Sequence, residues 1–287
     1  MFNTPLRYPG GKGKITSSIR LLLEHNGLVG SNYIEPYAGG AGVAVNLLLE
    51  NIVSSIHIND LNFPVYCFWE TLKNNPEYLC KKIKDTDISM DEWYRQNTIF
   101  KNYQSFDITE IAFSTFFLNR TNRSGILQAG VIGGKKQAGI WKLDTRFNKE
   151  NLIRRIEKIG SFSEKIKVTN LDAKDLIKNI SHTCSDDSFI YMDPPYYKKG
   201  KGLYQNFYEH KDHLLIAELI QTSNIKNWIV SYDHNFNITE LYKNKKNIIY
   251  NLSYTAQQKY KGAEVIFFSD NVDIPKNLPL QVIEWNI

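Results

Sequence analysis

The segment Asp193-Pro194-Pro195-Tyr196 combines residue types that suit chemistry on an aromatic amine, such as the exocyclic amino group of adenine. It directly follows the apolar run 188–192, so it should begin where a buried strand ends. The amine nitrogen is a poor nucleophile because its lone pair is delocalised into the ring. The carboxylate of Asp193 and the backbone carbonyl of Pro194 would hold the amino group and stabilise the positive charge that it gains.

The prolines and the tyrosine of this segment add to that interpretation. Consecutive prolines restrict φ and have no N–H groups, which keeps their carbonyls out of the hydrogen-bond ladder of a sheet. Tyr196 offers an aromatic face on which a base can stack, and a base within a duplex would first be rotated out of the helix. The segment contains no cysteine, so thiolate attack on a cytosine ring is not expected. The simpler alternative is a tight turn with an incidental acid.

A glycine-rich loop, 38–42, forms the second group of candidates. Such a loop lets a ligand approach the backbone closely, with N–H groups of the following helix facing it. A nicotinamide or flavin nucleotide is the main alternative ligand, but Val45 occupies the third glycine position of the dinucleotide fingerprint. The candidate contacts in and before the loop are Glu35, Pro36, Tyr37, Gly39, Gly40 and Gly42.

Two further acids are predicted to end strands of the same sheet. Asp60 follows the apolar run 55–59 and is placed to accept hydrogen bonds from ribose hydroxyls. Asp172 follows the run 166–171 and could accept from the exocyclic amine of a cofactor's own adenine. A turn or a helix cap is the alternative for an isolated aspartate. Together with Asp193, however, these acids end three successive strands, which favours a site.

The N-terminal segment Arg7-Tyr-Pro-Gly-Gly-Lys12 places an aromatic residue, Tyr8, and a cation, Lys12, around a flexible backbone. A phosphate loop is the obvious alternative, but the segment lacks the Gly-Lys-Ser/Thr ending and follows no strand. A carboxylate, such as that of a methionine moiety, suits Lys12 better. His210 and His213 are interpreted as part of a solvated helix start, and no metal site is predicted.

The elements that must position these residues follow an α/β pattern. Strand, glycine turn, helix, strand and acid follow one another up to residue 61, and the alternation resumes at residue 166. We therefore predict a Rossmann-like, mostly parallel sheet of about seven strands, built from 1–61 and 166–287. The intervening 62–165 is helical and aromatic-rich and too long for a loop, so it is predicted to be an inserted domain. Its glycines at 130–136 predict a hairpin between two short strands.

Positive charge is concentrated in the predicted insertion. Between residues 115 and 165 there are eleven lysines and arginines against four acids, whereas the whole chain carries a net charge of +5. Such a surface suits a polyanionic partner, although a solvated helix face is the alternative. Trp141 could stack on an exposed base or belong to the core, and Asn119 and Arg120 could instead brace the insertion. The candidate DNA contacts are Arg120, Arg123, Lys135, Lys136, Trp141 and Arg146.

Composition and length narrow the class of protein. The 287 residues are 42% hydrophobic and 23% charged, as expected for a soluble globular protein. No apolar stretch is long enough for a membrane helix, and the N-terminus lacks a secretion signal, so a cytoplasmic location is expected. The three cysteines are far apart and odd in number, which argues against a disulfide framework or a zinc site.

In this order, the motifs resemble those of the Dam-like adenine-specific DNA methyltransferases. The resemblance implies a class I methyltransferase sheet, S-adenosylmethionine as cofactor without a metal, and double-stranded DNA as partner. It also implies that Asp193 and Tyr196 handle a flipped adenine, that the insertion reads the DNA, and that a restriction endonuclease could act separately in a bacterial, archaeal or phage system. The residues implied at the cofactor are Tyr8, Lys12, Asp60 and Asp193. The matching segments are 7–12, 35–42, 59–60, 118–125 and 193–196.

Two other functions remain open from the sequence. The first is methylation of RNA adenine or of a protein amide; an aspartate rather than an asparagine at position 193 speaks against the amide. The second is a DNA-binding regulator that has lost catalysis, against which the intact Asp193-Pro-Pro-Tyr196 segment argues.

Overall fold

Two stretches of α/β alternation, separated along the chain, build one sheet in this computed structural model. The structure describes residues 4–7, 13–197, 208–253 and 261–286. The strands are β1 Asn32–Glu35, β2 Ser55–Asn59, β3 Ile166–Thr169, β4 Phe189–Met192, β5 Asn227–Asp233, β6 Asn247–Ser253, β7 Lys261–Phe268 and β8 Gln281–Asn286.

The eight described strands lie in the order β3-β2-β1-β4-β5-β7-β6-β8. β1 pairs in parallel with β2 and β4, and β4 pairs in parallel with β5. β7 is antiparallel to β5 and β6, and β8 is antiparallel to β6. The chain therefore extends from β1 towards β2 on one side and continues with β4 on the other, so the strand order reverses between β1 and β4. In open α/β sheets, ligands bind outside the carboxyl ends of the strands at such a switch point.

The predicted α/β sheet is present, with eight described strands where about seven were expected. The sequence did not indicate β6 or β8. β8 lies at the sheet edge beside β6, and its side chains are exposed except for a half-buried Val282. Since β8 has no buried face, its sequence lacks the alternation of buried and exposed residues that identifies a strand.

Several helices of the described residues begin at a side chain that caps them. Asn62 and Asn75 cap the third and fourth helices, and Asp107 forms a capping box with Glu110 at the sixth. The helices are α1 Gly13–His25, α2 Gly42–Leu49, α3 Phe63–Asn74, α4 Pro76–Asp85, α5 Met90–Lys101, α6 Ile108–Thr121, α7 Lys149–Gly160, α8 Ala173–Ser181, α9 His210–Thr222 and α10 Phe236–Leu241. Among the residues that the structure describes, none of these helices is long and apolar enough to cross a membrane.

The chain divides into two compact units. Unit 1 comprises Met1–Pro9 and Asn62–Val168, and unit 2 comprises Gly10–Leu61 and Thr169–Ile287. In unit 1 the helix α6 is buried along most of its length and packs against α3 and α5. In unit 2, apolar side chains of α8 and α9 pack on the sheet, around Ile190 and Val230 of its two central strands.

The prediction of a hairpin between two short strands at 130–136 was wrong: the structure describes no such strands there. The chain there forms turns, with φ of +84° at Gly133 and +73° at Gly134, and one isolated antiparallel bridge between Asn122 and Val131. The backbone groups on each side of Val131 are paired with the end of α6 and the residues after it: the Ile132 N–H donates to the Thr121 carbonyl, and the Arg123 N–H donates to the Gly130 carbonyl. The backbone around Val131 is therefore paired with residues before the turn rather than after it.

Candidate active site

Asp193 lies at the carboxyl end of β4, directly after Met192, and is half-buried. Its Oδ1 accepts a hydrogen bond of 2.9 Å from the Ser231 hydroxyl of β5. The register explains this contact, because Met192 pairs with Val230 and the next residues on the two strands are Asp193 and Ser231. Ser231 Oγ also lies 3.0 Å from the Tyr191 hydroxyl. The carboxylate is therefore oriented by the neighbouring strand rather than left to rotate.

The rest of the segment is held from β5 and β7. Pro194 and Pro195 are buried. The hydroxyl of Tyr196 donates to Glu264 Oε1 at 2.6 Å, and only 6% of the tyrosine is exposed. The Tyr197 N–H donates to Asp233 Oδ1 at 2.9 Å. Little of the ring of Tyr196, the predicted stacking platform, is therefore accessible in this conformation.

Glu35 ends β1 and is buried, with 4% of its surface exposed. Its Oε1 accepts hydrogen bonds from the Tyr33 hydroxyl and from the Ala44 N–H in the first turn of α2, both at 3.0 Å. Burial raises the pKa of Glu35 to about 8; the nearby Asp193 carboxylate adds to the rise, and the two hydrogen bonds oppose it. Glu35 Oε1 is therefore occupied by groups of the protein itself, and its bond to the Ala44 N–H ties the end of β1 to the start of α2.

The glycine loop is tied to the end of β2. Gly39, with φ of +47°, donates its N–H to Asp60 Oδ2 at 2.7 Å. The Ala38 N–H donates to the Asn59 carbonyl at 2.8 Å. Ala41, the residue before α2, also adopts a left-handed conformation, with φ of +43°. The loop therefore turns sharply between strand and helix, and one of its N–H groups is hydrogen-bonded to the Asp60 carboxylate.

The remaining residues predicted around this loop lie at the same edge of the sheet. The carbonyl of the buried Pro36 accepts from the Asn59 side-chain amide at 3.0 Å. Gly40 is buried, and Gly42 is the first residue of α2. The hydroxyl of the half-buried Tyr37 lies 3.1 Å from that of Tyr208.

Asp172 serves as the N-cap of α8. Its Oδ1 accepts from the Lys174 N–H at 3.0 Å, and its Oδ2 lies 3.1 Å from Lys174 Nζ. The capping alternative from the sequence is therefore realised. Asp172 is also near Tyr208: burial raises the pKa of that tyrosine to about 12, after which Asp172 adds to the rise. Tyr8 and Lys12 lie outside the described residues.

Of the predicted DNA contacts in unit 1, Arg120 is engaged with the protein itself. Its guanidinium donates to the carbonyl of Arg146 through Nε, at 2.7 Å, and through a second nitrogen. A third nitrogen donates to the Pro5 carbonyl at 3.4 Å. Burial, reinforced by the neighbouring Arg7, lowers the pKa of Arg120 to about 9. Asn119 likewise binds the backbone N–H and carbonyl of Arg7, so both residues brace the N-terminal segment within unit 1.

The other predicted DNA contacts are exposed. Trp141 is 68% exposed, and its neighbour Ile140 is 92% exposed, so the core alternative for the tryptophan is excluded. The cations Arg123, Lys135, Lys136 and Arg146 are also exposed. A cavity of about 270 Å³ lies in the same part of unit 1. Its lining residues are Trp93, Arg123, Gly130, Val131, Gly134 and Lys135.

Three residues that hold the Asp193 segment were not identified from the sequence: Ser231, Asp233 and Glu264. A usable signal existed for the first two, because they end the apolar strand β5 as the predicted acids end theirs. Glu264 gave no local signal, since it stands within β7 between apolar residues. Among the described residues, no group of three His, Cys, Asp or Glu is arranged to hold a metal ion.

Comparison with known proteins identifies the family. A sequence model for D12 class N6 adenine-specific DNA methyltransferases matches residues 8–257. The Type II methyltransferase M.MjaIII of Methanocaldococcus jannaschii is 26% identical over 214 residues, which cover 67% of this chain and 68% of that protein. The crystal structure of protein LPL1258 from Legionella pneumophila aligns with 90% of this chain and 84% of its own, at 12% identity and a TM-score of 0.35. The resemblance seen in the motifs is confirmed, and the chain belongs to the D12 class of N6 adenine-specific DNA methyltransferases.

Proposed function

We propose that this DNA adenine methyltransferase acts on an adenine extruded from a specific site in duplex DNA, and that the reaction takes place beside Asp193. Adenine methylation follows from the family. The observation that carries the finer proposal is the position of Asp193, which lies at the switch point between β1 and β4 with its carboxylate oriented by Ser231. A carboxylate fixed in this way is preorganised for charge that develops on an amine.

Methyltransferases of this family generally take the methyl group from S-adenosylmethionine. The chemistry of the groups present fits that molecule: Asp60 can accept from ribose hydroxyls, and Asp172 from the amine of its adenine. The glycine loop 39–42 lets a ligand approach the backbone closely. We propose Tyr8 and Lys12 as further contacts, the latter for the methionine carboxylate. When bound, S-adenosylmethionine would supply an electrophilic methyl group on sulfur, and S-adenosylhomocysteine, a neutral thioether, would be the leaving group.

The residues of the chain orient the amine and compensate its charge. One N6 hydrogen is directed to Asp193 and the other to the Pro194 carbonyl, so that the nitrogen lone pair is turned towards the methyl donor. The amine becomes positively charged as it gains the methyl group, and the Asp193 carboxylate stabilises that charge. The surplus proton then leaves the nitrogen by way of Asp193 or water. No covalent bond to the protein is required.

We assign target recognition to 62–165 and catalysis to 1–61 with 166–287. The exposed Trp141 supports this assignment, since an exposed tryptophan among cations suits stacking on a base. The cations Lys135, Lys136, Arg123 and Arg146 would contact phosphates or guanine. Because Arg120 is bound to backbone carbonyls, we assign it the bracing role instead.

A role in restriction and modification, with an endonuclease acting separately, is the proposed cellular setting. It is supported by the name of the relative from Methanocaldococcus jannaschii, a type II methyltransferase.

The proposal is tested by incubating the purified chain and labelled S-adenosylmethionine with unmethylated duplex DNA of mixed sequence in one reaction and with RNA in another. The products are digested to nucleosides. The expected result is N6-methyladenine from duplex DNA, confined to one short sequence when the modified positions are mapped. Label in RNA alone, or modified adenines without a common sequence, would contradict it.

A further inference from the structure

Glu264 is a buried glutamate that touches the Asp193-Pro-Pro-Tyr196 segment from a neighbouring strand. It lies in β7 with 1% of its surface exposed. In the sheet it stands opposite Asp233 of β5 on one side and Tyr250 of β6 on the other. Its Oε1 accepts from the Tyr196 hydroxyl and its Oε2 from the Tyr250 hydroxyl, each at 2.6 Å. One carboxylate therefore joins the proposed adenine site to the antiparallel half of the sheet.

The geometry of these contacts gives the carboxylate a directional role. Both phenols donate, so each carboxylate oxygen is an acceptor, and hydrogen bonds to a carboxylate are shorter and stronger than those between neutral groups. The Tyr250 hydroxyl fixes the second oxygen, which leaves the first one a single orientation towards Tyr196. The ring of Tyr196 is then held at its hydroxyl end by Glu264 and at its backbone end by the buried prolines.

The residues after β4 depend on such anchors because prolines 194 and 195 have no N–H groups to offer to a neighbouring strand. Side chains from β5 and β7 replace the missing ladder: Ser231 holds Asp193, Asp233 holds the Tyr197 N–H, and Glu264 holds Tyr196. Glu264 is the most buried acid of this set. Loss of its contact would let the tyrosine, and with it the adjoining Asp193, move within the site.

We propose that Glu264 is a positioning residue for adenine methylation. Through the Tyr196 hydroxyl it fixes the tyrosine that follows the two prolines, and with it the position of the Asp193 carboxylate that receives the adenine amine. This inference rests on the proposed role of Asp193. It predicts a role in the rate of the reaction rather than in cofactor affinity, because the tyrosine that Glu264 holds belongs to the segment proposed to receive the adenine amine.

The test is a double-mutant cycle in the full chain, made from Glu264→Gln, Tyr196→Phe and the two together. The glutamine keeps the shape of the side chain but removes its charge, and the phenylalanine keeps the ring but removes the hydroxyl. Each single variant is expected to lower kcat by roughly 10-fold to 100-fold, since a small misplacement of reacting groups has an effect of this size. KM for S-adenosylmethionine should stay within about twofold of the wild-type value. The double variant should be about as slow as the slower single variant, because both changes break the same contact.

Tyr242→Phe is the matched control, since Tyr242 is a buried tyrosine of unit 2 in the apolar cluster and stacks on Phe267. It should retain the wild-type kcat. A wild-type kcat in Glu264→Gln, or losses that add fully in the double variant, would overturn the proposal. If Glu264→Gln does not fold, Tyr196→Phe alone decides, and an unchanged kcat in that variant overturns it. Activity in Asp193→Ala would instead refute the proposed function, whatever the result at Glu264.

Discussion

The carboxyl end of the sheet around Asp193 and the surface segment 130–146 of unit 1 both carry functional candidates, but they are built in opposite ways. Around Asp193 the side chains are buried or half-buried, and their polar atoms are engaged by neighbouring strands. In 130–146 most residues are exposed, and the chain is arranged by turns and by the side chain of Gln137. The first region suits chemistry in a fixed geometry, and the second suits contact with a large, variable partner.

The difference indicates where each kind of mutation should act. A change at the carboxyl end of the sheet around Asp193 disturbs preorganised groups, so it should lower the rate of methylation steeply. A change in 130–146 removes one of several exposed contacts, so it should reduce DNA affinity in small steps. The comparison would fail if changes in the two regions had effects of the same kind.

The largest effect is expected for Asp193→Ala. Removing the carboxylate takes away an acceptor for the amino group and the charge that stabilises it, so methylation should fall by at least about 1000-fold. Binding of S-adenosylmethionine, measured by calorimetry, should persist at least in part. Asp187→Ala is the matched control, because Asp187 is an exposed acid just before β4, and it should stay fully active. Full activity in Asp193→Ala would refute the assignment.

A smaller effect is expected when Lys135→Ala and Lys136→Ala are combined. If both lysines contact phosphates, DNA binding should weaken and the slope of log K against log salt should become shallower by up to about 1.8. The rate at saturating DNA should change little. Lys81→Ala with Lys84→Ala makes the same charge change on α4, where both side chains are exposed. An equal response from both pairs would show that net charge, and not the segment 130–146, determines binding.

The smallest effect concerns the thermal stability of the chain and tests whether Glu35, at the carboxyl end of β1, is buried. Burial raises the pKa of Glu35 to about 8 in the folded chain, above its value of about 4.5 when unfolded. The stability that depends on the protonated form is fully present below about pH 4.5 and is lost as the pH rises through about 8. Glu35→Gln cannot ionise, so the Tm of the wild type should fall relative to this variant by a few degrees across that range. A difference in Tm between the wild type and Glu35→Gln that stays constant across that range would contradict the prediction.

The sequence predicted the parts of the site that depend on local order along the chain. Asp193 and Asp60 were identified because each follows an apolar strand, and the structure places both at the ends of those strands. The partners that orient them depend on which strands become neighbours. Glu264 is 68 residues from Tyr196 and meets it only because β7 pairs with β5.

The hairpin at 130–136 failed for the same reason, since Val131 pairs with Asn122, the residue just after α6, and not with the chain beyond the glycines. The exposure of Trp141 could not be predicted either, because an isolated tryptophan in a loop has no periodic pattern.

A crystal structure of the chain with S-adenosylhomocysteine would test the central claim most directly. The claim is that the methyl donor and the adenine amine meet beside Asp193, at the switch point between β1 and β4. The account predicts that the ribose lies at Asp60, that the homocysteine part of the ligand lies along the glycine loop 39–42, and that the sulfur faces the Asp193 carboxylate. A ligand bound elsewhere, or one whose sulfur faces away from Asp193, would contradict it.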